Sequence, residues 1–160
     1  MVGRARIFAG MGFTTVMHSA RDHGGSSRHR YMNAPRFADD IESVIDWIGK
    51  PVLLYGHSIG AAAAVIVAHR RPSKVKLLFL ESCYAKTKEA LYSLYRNYNW
   101  FFGVFFARMV ICWMEIFWKR GLDRVSPVNL APRIDLPVLI IHGDRDVNFP
   151  LHHALRLRDS

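Results

Sequence analysis

Three short apolar runs constrain the fold of this chain more than any other feature. They are PVLLY at 51–55, VKLLFLES at 75–82 and LPVLIIHG at 136–143. Each has the length of a strand. Apolar and polar residues do not alternate in these runs, as they would in a strand with one solvent-exposed face, so we expect burial on both faces. Helical patterns alternate with these runs, so we expect an α/β fold with a predominantly parallel sheet and helices on both faces.

The elements around these strands are predicted from periodicity and from turn residues. Residues 4–11 are expected to be helical, Phe13–Met17 to form a fourth strand, and the polar segment HSARDHGGSSRHR to form a loop. After Asn33, apolar residues recur at helical spacing as far as Gly49, which predicts an amphipathic helix with Asn33 at its start. The chain has 160 residues, which fits a single domain.

Charge and cysteine content limit the partners and the cellular compartment that we expect for this protein. The formal net charge is +9, but the basic residues are scattered and accompany no nucleic-acid-binding motif, so no nucleic-acid partner is expected. Cys83 and Cys112 have no metal-ligand spacing and lie among apolar residues, which predicts buried, reduced thiols and a cytoplasmic protein. The alternative of a cleaved signal peptide at residues 1–20 is weaker, because the same residues fit a helix followed by a strand.

An aromatic-rich insert is expected at residues 84–125, between the second and third apolar strands. Its two predicted helices are TKEALYSLYRNY and WFFGVFFARMVICWMEIFW. One interpretation is a buried helix packed on the sheet. The other is a helical cap over an apolar site, with peripheral membrane contact through residues 100–118.

The segment Gly56-His57-Ser58-Ile59-Gly60 has the pattern G-x-S-x-G at the junction of a predicted strand and a predicted helix. A nucleophile on such a turn needs small neighbours, which accounts for glycine at 56 and 60. The Ile59 N–H at the helix start is then placed to donate to a developing oxyanion. The alternative is a plain serine in a turn.

These residues resemble the α/β-hydrolase family, with the nucleophile elbow at Gly56–Gly60. Two further matches follow the family's order: RDHGGSS at 21–27, in which Asp22 replaces a usual glycine, and LPVLIIHGDRDVNFP at 136–150. The resemblance implies that Asp146, four residues before Pro150, is the acid that orients the catalytic histidine. Asp144 is the alternative.

The resemblance also shows what this stretch of chain lacks. The family's catalytic histidine comes after one more strand, so we expect it beyond Ser160; His152 and His153 are weaker candidates because they follow Asp146 too closely. The loop that carries the second oxyanion donor is also absent, and four strands of the usual eight are expected. The chain is therefore expected to be a central fragment of a hydrolase.

The function expected from the resemblance is that of a serine hydrolase of the esterase or lipase type. It would cleave an ester, thioester or amide through an acyl-Ser58 intermediate, on a small lipid-like substrate with an apolar acyl group, and without a metal or other cofactor. The alternative is a non-catalytic module that binds a partner protein or a membrane surface. The sequence leaves the natural substrate and the oligomeric state open.

Overall fold

A computed structural model describes residues 2–28, 33–98, 100–117 and 121–160. These residues divide into two compact units, Met1–Met32 and Asn33–Ser160. That the whole chain forms one domain stays a prediction.

The first unit contains helix α1, Val2–Gly10, and no β-strand among its described residues. The prediction of a strand at Phe13–Met17 is therefore wrong. Gly12 adopts φ 88°, and Phe13 turns back onto the helix, where its N–H donates to the Phe8 carbonyl at 3.1 Å and its ring meets the Phe8 ring edge-on. A β-prone segment forms a strand only where a neighbouring strand supplies the ladder of hydrogen bonds, and none does so here within the described residues.

The described residues of the second unit form the sheet and six helices, together with short 3-10 turns at Pro72–Lys74, Leu122–Val125 and Ala131–Arg133. In chain order the described elements are α2 (Ala34–Ile48), β1 (Val52–His57), α3 (Ile59–Arg70), β2 (Val75–Glu81), α4 (Thr87–Tyr98), α5 (Trp100–Phe117), α6 (Pro127–Leu130), β3 (Val138–Ile141) and α7 (His152–Arg158).

The three strands form one parallel sheet in the order β1-β2-β3. This confirms the α/β class and the three apolar runs as strands, while the expected fourth strand is absent from the described residues. The predicted burial on both faces is wrong for β3, where Val138, Leu139 and Ile141 are 43–49% exposed, because β3 lies at the edge of the described sheet. His57 pairs with Glu81, and Glu81 pairs with Ile141, so the three strands end at the same level. Parallel strands direct their carboxyl ends to one edge of the sheet, and the residues that follow these ends are therefore neighbours.

Helix α3 is the core of the unit. Its eight residues from Ala61 to Ala68 are all buried, with exposures of at most 1%. It packs against β1, β2 and α2. Helix α2 has the predicted ends: Asn33 Oδ1 accepts from the Arg36 N–H at 2.9 Å, and Gly49, at φ 73°, donates its N–H to the Ile45 carbonyl.

The insert consists of the packed helices α4 and α5, as predicted. Gly103 permits their close approach, because a Cβ at that position would lie 2.7 Å from the Tyr95 carbonyl carbon. Cys83 is buried as expected, but Cys112 is exposed, so its predicted burial is wrong. Apolar neighbours in sequence did not imply burial here, because Cys112 lies on a side of α5 that no described element covers. Of the helices in the described part of the chain, none combines the length and the apolarity required to cross a bilayer.

Candidate active site

Ser58 lies between the end of β1 and the start of α3, as the sequence predicts. Its backbone has φ 56° and ψ −122°, a conformation that residues other than glycine rarely adopt. Such backbone strain costs about 1–3 kcal/mol and persists where the surrounding structure enforces it. The serine therefore occupies a strained strand-to-helix turn of the kind that a nucleophile elbow requires.

Hydrogen bonds on both sides hold this conformation. The Ser58 N–H donates to the Glu81 carbonyl at 2.9 Å, which continues the β1-β2 ladder by one residue. The Ser58 carbonyl accepts from the N–H groups of Ala61 and Ala62, at 3.0 and 3.2 Å, and so begins α3. The serine is thus fixed from the sheet and from the helix at once.

The N–H of Ile59 follows directly, in the first turn of α3. Within the described part of the chain no carbonyl accepts from it. The first N–H groups of any helix lack partners inside the helix, and they carry the positive end of the helix dipole. The geometry therefore leaves a donor beside Ser58 that suits a developing negative charge.

The two glycines of the motif differ in what they do. A Cβ at Gly56 would lie 2.6 Å from both the N and the Cα of Ala61, and closer still to the Gly60 carbonyl oxygen. At Gly60 itself a Cβ would meet no atom within 4 Å among the described residues. The steric explanation from the sequence is therefore correct for Gly56 and wrong for Gly60. The difference arises because β1 passes directly beneath the first turn of α3 at Gly56.

Ser58, Ser82 and His142 occupy equivalent positions directly after the ends of the three neighbouring strands. Each follows the last residue of its strand, and the Ser82 N–H donates to the Ile141 carbonyl at 2.9 Å. Strands lie about 4.8 Å apart, so Ser58 and His142 are separated by about two strand spacings, or ~10 Å. The loop after β3 begins at that point and carries Asp146.

Asp146 is held firmly in the loop after β3. Its Oδ1 accepts from the N–H groups of Asn148, at 2.9 Å, and Phe149, at 3.0 Å. The Ser82 side chain lies close enough to the same carboxyl group to help lower its pKa. Burial opposes the ionisation of Asp146, but the N–H groups of Phe149 and Asn148 outweigh it and lower its pKa. Asp146 is therefore an ionised, fixed acceptor. The alternative, Asp144, is exposed.

Ser82 is a residue that the sequence analysis missed. It has φ 47°, a second strained conformation at the sheet edge, and it contacts the candidate acid from the neighbouring strand. Its position directly after β2, at the level of Ser58 in the sheet, is the signal that would have identified it.

The histidines do not complete a triad in the second unit. Of the histidines described in the second unit, namely His57, His69, His142, His152 and His153, none hydrogen-bonds to Ser58. His57 is exposed rather than packed under the turn, because successive residues of a strand face opposite sides of the sheet and Gly56 is the one that faces α3. His142 follows directly after β3 rather than ending the strand as predicted, and its Nε2 donates to the Phe149 carbonyl at 2.6 Å. His69 lies near the end of α3, and His152 begins α7.

His153 is a buried structural histidine. Its Nδ1 accepts from the Ala85 N–H at 3.2 Å, which assigns the remaining proton to Nε2, and its ring meets Phe149 edge-on. Burial, together with the neighbouring His152, lowers its pKa to about 4. The ring is therefore neutral, with its basic nitrogen already occupied, and it is unsuited to serve as the catalytic base.

Glu89, His152 and His153 form the cluster nearest to a metal-ligand set in the described residues. Both Glu89 oxygens, however, accept from the Arg156 guanidinium, at 2.7 and 2.8 Å, and His153 Nδ1 is taken by the Ala85 N–H. A cation would displace both interactions and would lie beside Arg156. These residues do not fit a metal ion.

The loop RDHGGSS lies in the first unit and is ordered by its own hydrogen bonds. Ser26 Oγ donates to the Ser19 carbonyl at 2.7 Å, and the Asp22 N–H donates to the Ser27 carbonyl at 3.1 Å. Asp22 has φ 63°, a conformation that glycine, the family's usual residue there, adopts without strain.

The chain is similar to a protein-family model, to known proteins and to solved structures. A family model described as serine aminopeptidase, S33, matches residues 3–126. The lysophosphatidylserine lipase ABHD12 of Rattus norvegicus is 24% identical over an alignment of 171 residues. The alignment includes 95% of this chain and 39% of the relative. The serine hydrolase BPHL of Homo sapiens is 27% identical, over 89% of this chain and 56% of the relative.

The crystal structure of a monoacylglycerol lipase from Paleococcus ferrophilus superposes with a TM-score of 0.57 and 21% identity, over 86% of this chain and 65% of that one. This likeness supports the α/β-hydrolase fold. The chain spans between about two fifths and two thirds of the length of these three proteins.

The two glycines of the motif give a matched pair of variants. We predict that Gly56→Ala lowers the free energy of unfolding by about 2–3 kcal/mol, because the added methyl group overlaps the first turn of α3. Gly60→Ala should raise it by up to about 1 kcal/mol, because alanine favours helix and the space is open. Urea unfolding followed by circular dichroism measures both. Equal effects of the two substitutions would contradict the geometry described.

The lowered pKa of His153 predicts a loss of stability in acid. The unfolded state binds a proton near pH 6.5, whereas the folded state binds it only near pH 4, so stability falls as the pH decreases between these values. From pH 7 to pH 5 the loss is about 2 kcal/mol. His153→Asn keeps an acceptor for the Ala85 N–H but does not titrate, so its stability should fall by that much less over the same range in urea unfolding. Identical pH dependences would refute the assignment.

Proposed function

The chain belongs to the α/β-hydrolase family described as serine aminopeptidase, S33, and from that premise we propose that it is part of a serine hydrolase with Ser58 as its nucleophile. It cleaves a carboxylic ester, thioester or amide through an acyl-Ser58 intermediate. The observation that carries this proposal is the strained backbone of Ser58 between β1 and α3, beside the Ile59 N–H. Strain of this kind collects at functional sites, because elsewhere it only costs stability.

In the proposed reaction Ser58 Oγ attacks the carbonyl carbon of the substrate while a base removes the hydroxyl proton. The carbonyl oxygen becomes an oxyanion, which accepts a hydrogen bond from the Ile59 N–H at the positive end of α3. The tetrahedral intermediate then expels the alcohol, thiol or amine, which takes the proton from the base. Water hydrolyses the acyl-Ser58 ester by the same steps.

Asp146 is the proposed acid that orients the base. Two N–H donors hold it, and it stays ionised in neutral solution because these donors and Ser82 lower its pKa. An ionised carboxylate fixes an imidazole in the required tautomer and stabilises the imidazolium that forms during attack. The general base itself is proposed to be a histidine other than His57, His69, His142, His152 and His153.

The proposed substrate class is a lipid-like ester with an apolar acyl chain, such as a lysophospholipid or a monoglyceride. Two of the similar proteins are a lysophosphatidylserine lipase and a monoacylglycerol lipase. The aromatic insert of this chain, helices α4 and α5, offers apolar side chains of the kind that accommodate an acyl chain. No step of the proposed mechanism uses a metal or an organic cofactor.

The second candidate function is a non-catalytic module that binds a partner protein or a membrane surface. It is favoured by one observation: none of the histidines described in the second unit hydrogen-bonds to Ser58. In this alternative the elbow persists as part of the fold while the serine is not acylated.

The test uses the protein as its source cell makes it, assayed with p-nitrophenyl butyrate. We predict that Ser58→Ala lowers kcat/KM by at least about 10³-fold and that Asp146→Asn lowers it by about 10²–10⁴-fold. Asp144→Asn, two residues away and exposed, is the matched control and should leave kcat/KM unchanged.

Circular dichroism establishes that each variant is folded. Full activity in Ser58→Ala would exclude Ser58 as the nucleophile, and a larger loss in Asp144→Asn than in Asp146→Asn would reverse the choice of acid. A folded protein with no hydrolysis of any ester in the lipid-like class would favour the non-catalytic module.

A further inference from the structure

Helix α5 presents an apolar face to solvent. Of its described side chains, the exposed apolar ones are Phe105 (67%), Phe106 (46%), Met109 (50%), Trp113 (53%) and Ile116 (69%), together with Cys112. We call these six residues the α5 apolar face. At 100° per residue, Phe105, Met109 and Ile116 lie within about 40° of one another around the helix. The face is therefore one continuous stripe along α5.

The opposite side of α5 is already packed. Ala107 is fully buried, and Gly103 lies against the backbone of Tyr95 in α4. A helix on the surface of a soluble protein turns its apolar side to the core and its charged side to water. In α5 both sides are apolar, so packing within the insert does not account for the exposed one.

Positive charge borders the α5 apolar face. Arg108 is exposed at its edge, three residues after Phe105, and Arg96 is exposed on α4. The acidic residues of α4 and α5 are paired: Glu115 pairs with Lys88 at 3.3 Å, and Glu89 pairs with Arg156 at 2.7 Å. The chain as a whole has a net charge of +9.

We propose that the α5 apolar face docks on the surface of a bilayer that contains anionic phospholipid. Aromatic and aliphatic side chains enter the interface between head groups and acyl chains, while arginine at the edge of the helix contacts lipid phosphates. The helix lies in the plane of the interface, since it does not have the length and apolarity to cross it. This inference goes beyond the proposed hydrolase activity and does not depend on it.

A second copy of this chain fits the face less well than a bilayer does. Each copy has a net charge of +9, so face-to-face pairing would bring two basic surfaces together. An anionic bilayer instead attracts that charge, by about 1 kcal/mol for each basic residue near the surface. A flat lipid surface also requires no groove that matches the protruding aromatic side chains.

The first experiment is co-sedimentation of the protein with vesicles of phosphatidylcholine mixed with phosphatidylserine, and with vesicles of pure phosphatidylcholine. The protein should bind the mixed vesicles more tightly, and added salt should weaken the binding. Trp113→Glu and Ile116→Glu should each lower the affinity at least tenfold, because they place a carboxylate in the interface. The matched control is Trp47→Glu, on α2, where the tryptophan is 78% exposed, and it should bind like the unsubstituted protein.

A second measurement uses the native cysteine of the face. A thiol-directed fluorophore sensitive to polarity should label Cys112, because Cys83 is buried and burial raises the pKa of its thiol. Its emission should shift to shorter wavelength when mixed vesicles are added, as the probe leaves water.

Three results would overturn the proposal. The first is equal vesicle binding by Trp113→Glu and the unsubstituted protein. The second is no change in the emission of the Cys112 probe. The third is a dimer in sedimentation velocity that Trp113→Glu dissociates, in a protein that does not bind vesicles, since a second copy would then cover the face.

Discussion

The conformation of one residue, Ser58, sets the arrangement of the candidate site. Its backbone is strained, and it persists because the ladder of β1-β2 ends on its N–H while α3 begins on its carbonyl. Gly56 makes this junction sterically feasible, since any Cβ there would overlap the first turn of α3. The packing of the buried helix α3 offsets the free-energy cost of this strain, which is about 1–3 kcal/mol. This conformation places the Ser58 side chain at the start of α3, beside the Ile59 N–H donor.

The parallel sheet positions the other residues of the site relative to Ser58. Because β1, β2 and β3 are parallel and end at one level, Ser82 and His142 take equivalent places on the neighbouring strands. Ser82 then lies close enough to the carboxyl group of Asp146 to help lower its pKa, while two N–H groups of the loop hold that carboxyl group. The acid is thus fixed by hydrogen bonds rather than by burial, which alone would have favoured its neutral form.

Local pattern was sufficient to predict much of this arrangement. Three apolar runs indicated the parallel sheet, and the motif around Ser58 indicated the elbow, because both depend on residues close in sequence. Phe13–Met17 was misassigned, since strand formation depends on a partner that local pattern does not reveal. The different roles of Gly56 and Gly60 and the contact of Ser82 with Asp146 depend on which elements pass each other in space. The same holds for Cys112, whose exposure reflects what lies against α5 rather than its sequence neighbours.

The central claim is that Ser58 is an activated nucleophile. A fluorophosphonate reacts covalently with such serines and with few others, so the most direct measurement is the mass of the protein from its source cell after exposure to this reagent, followed by mapping of the modified peptide. An activated Ser58 predicts one adduct, on the peptide that contains this serine. An adduct confined to another residue, or none on a folded protein that hydrolyses esters, would contradict the claim.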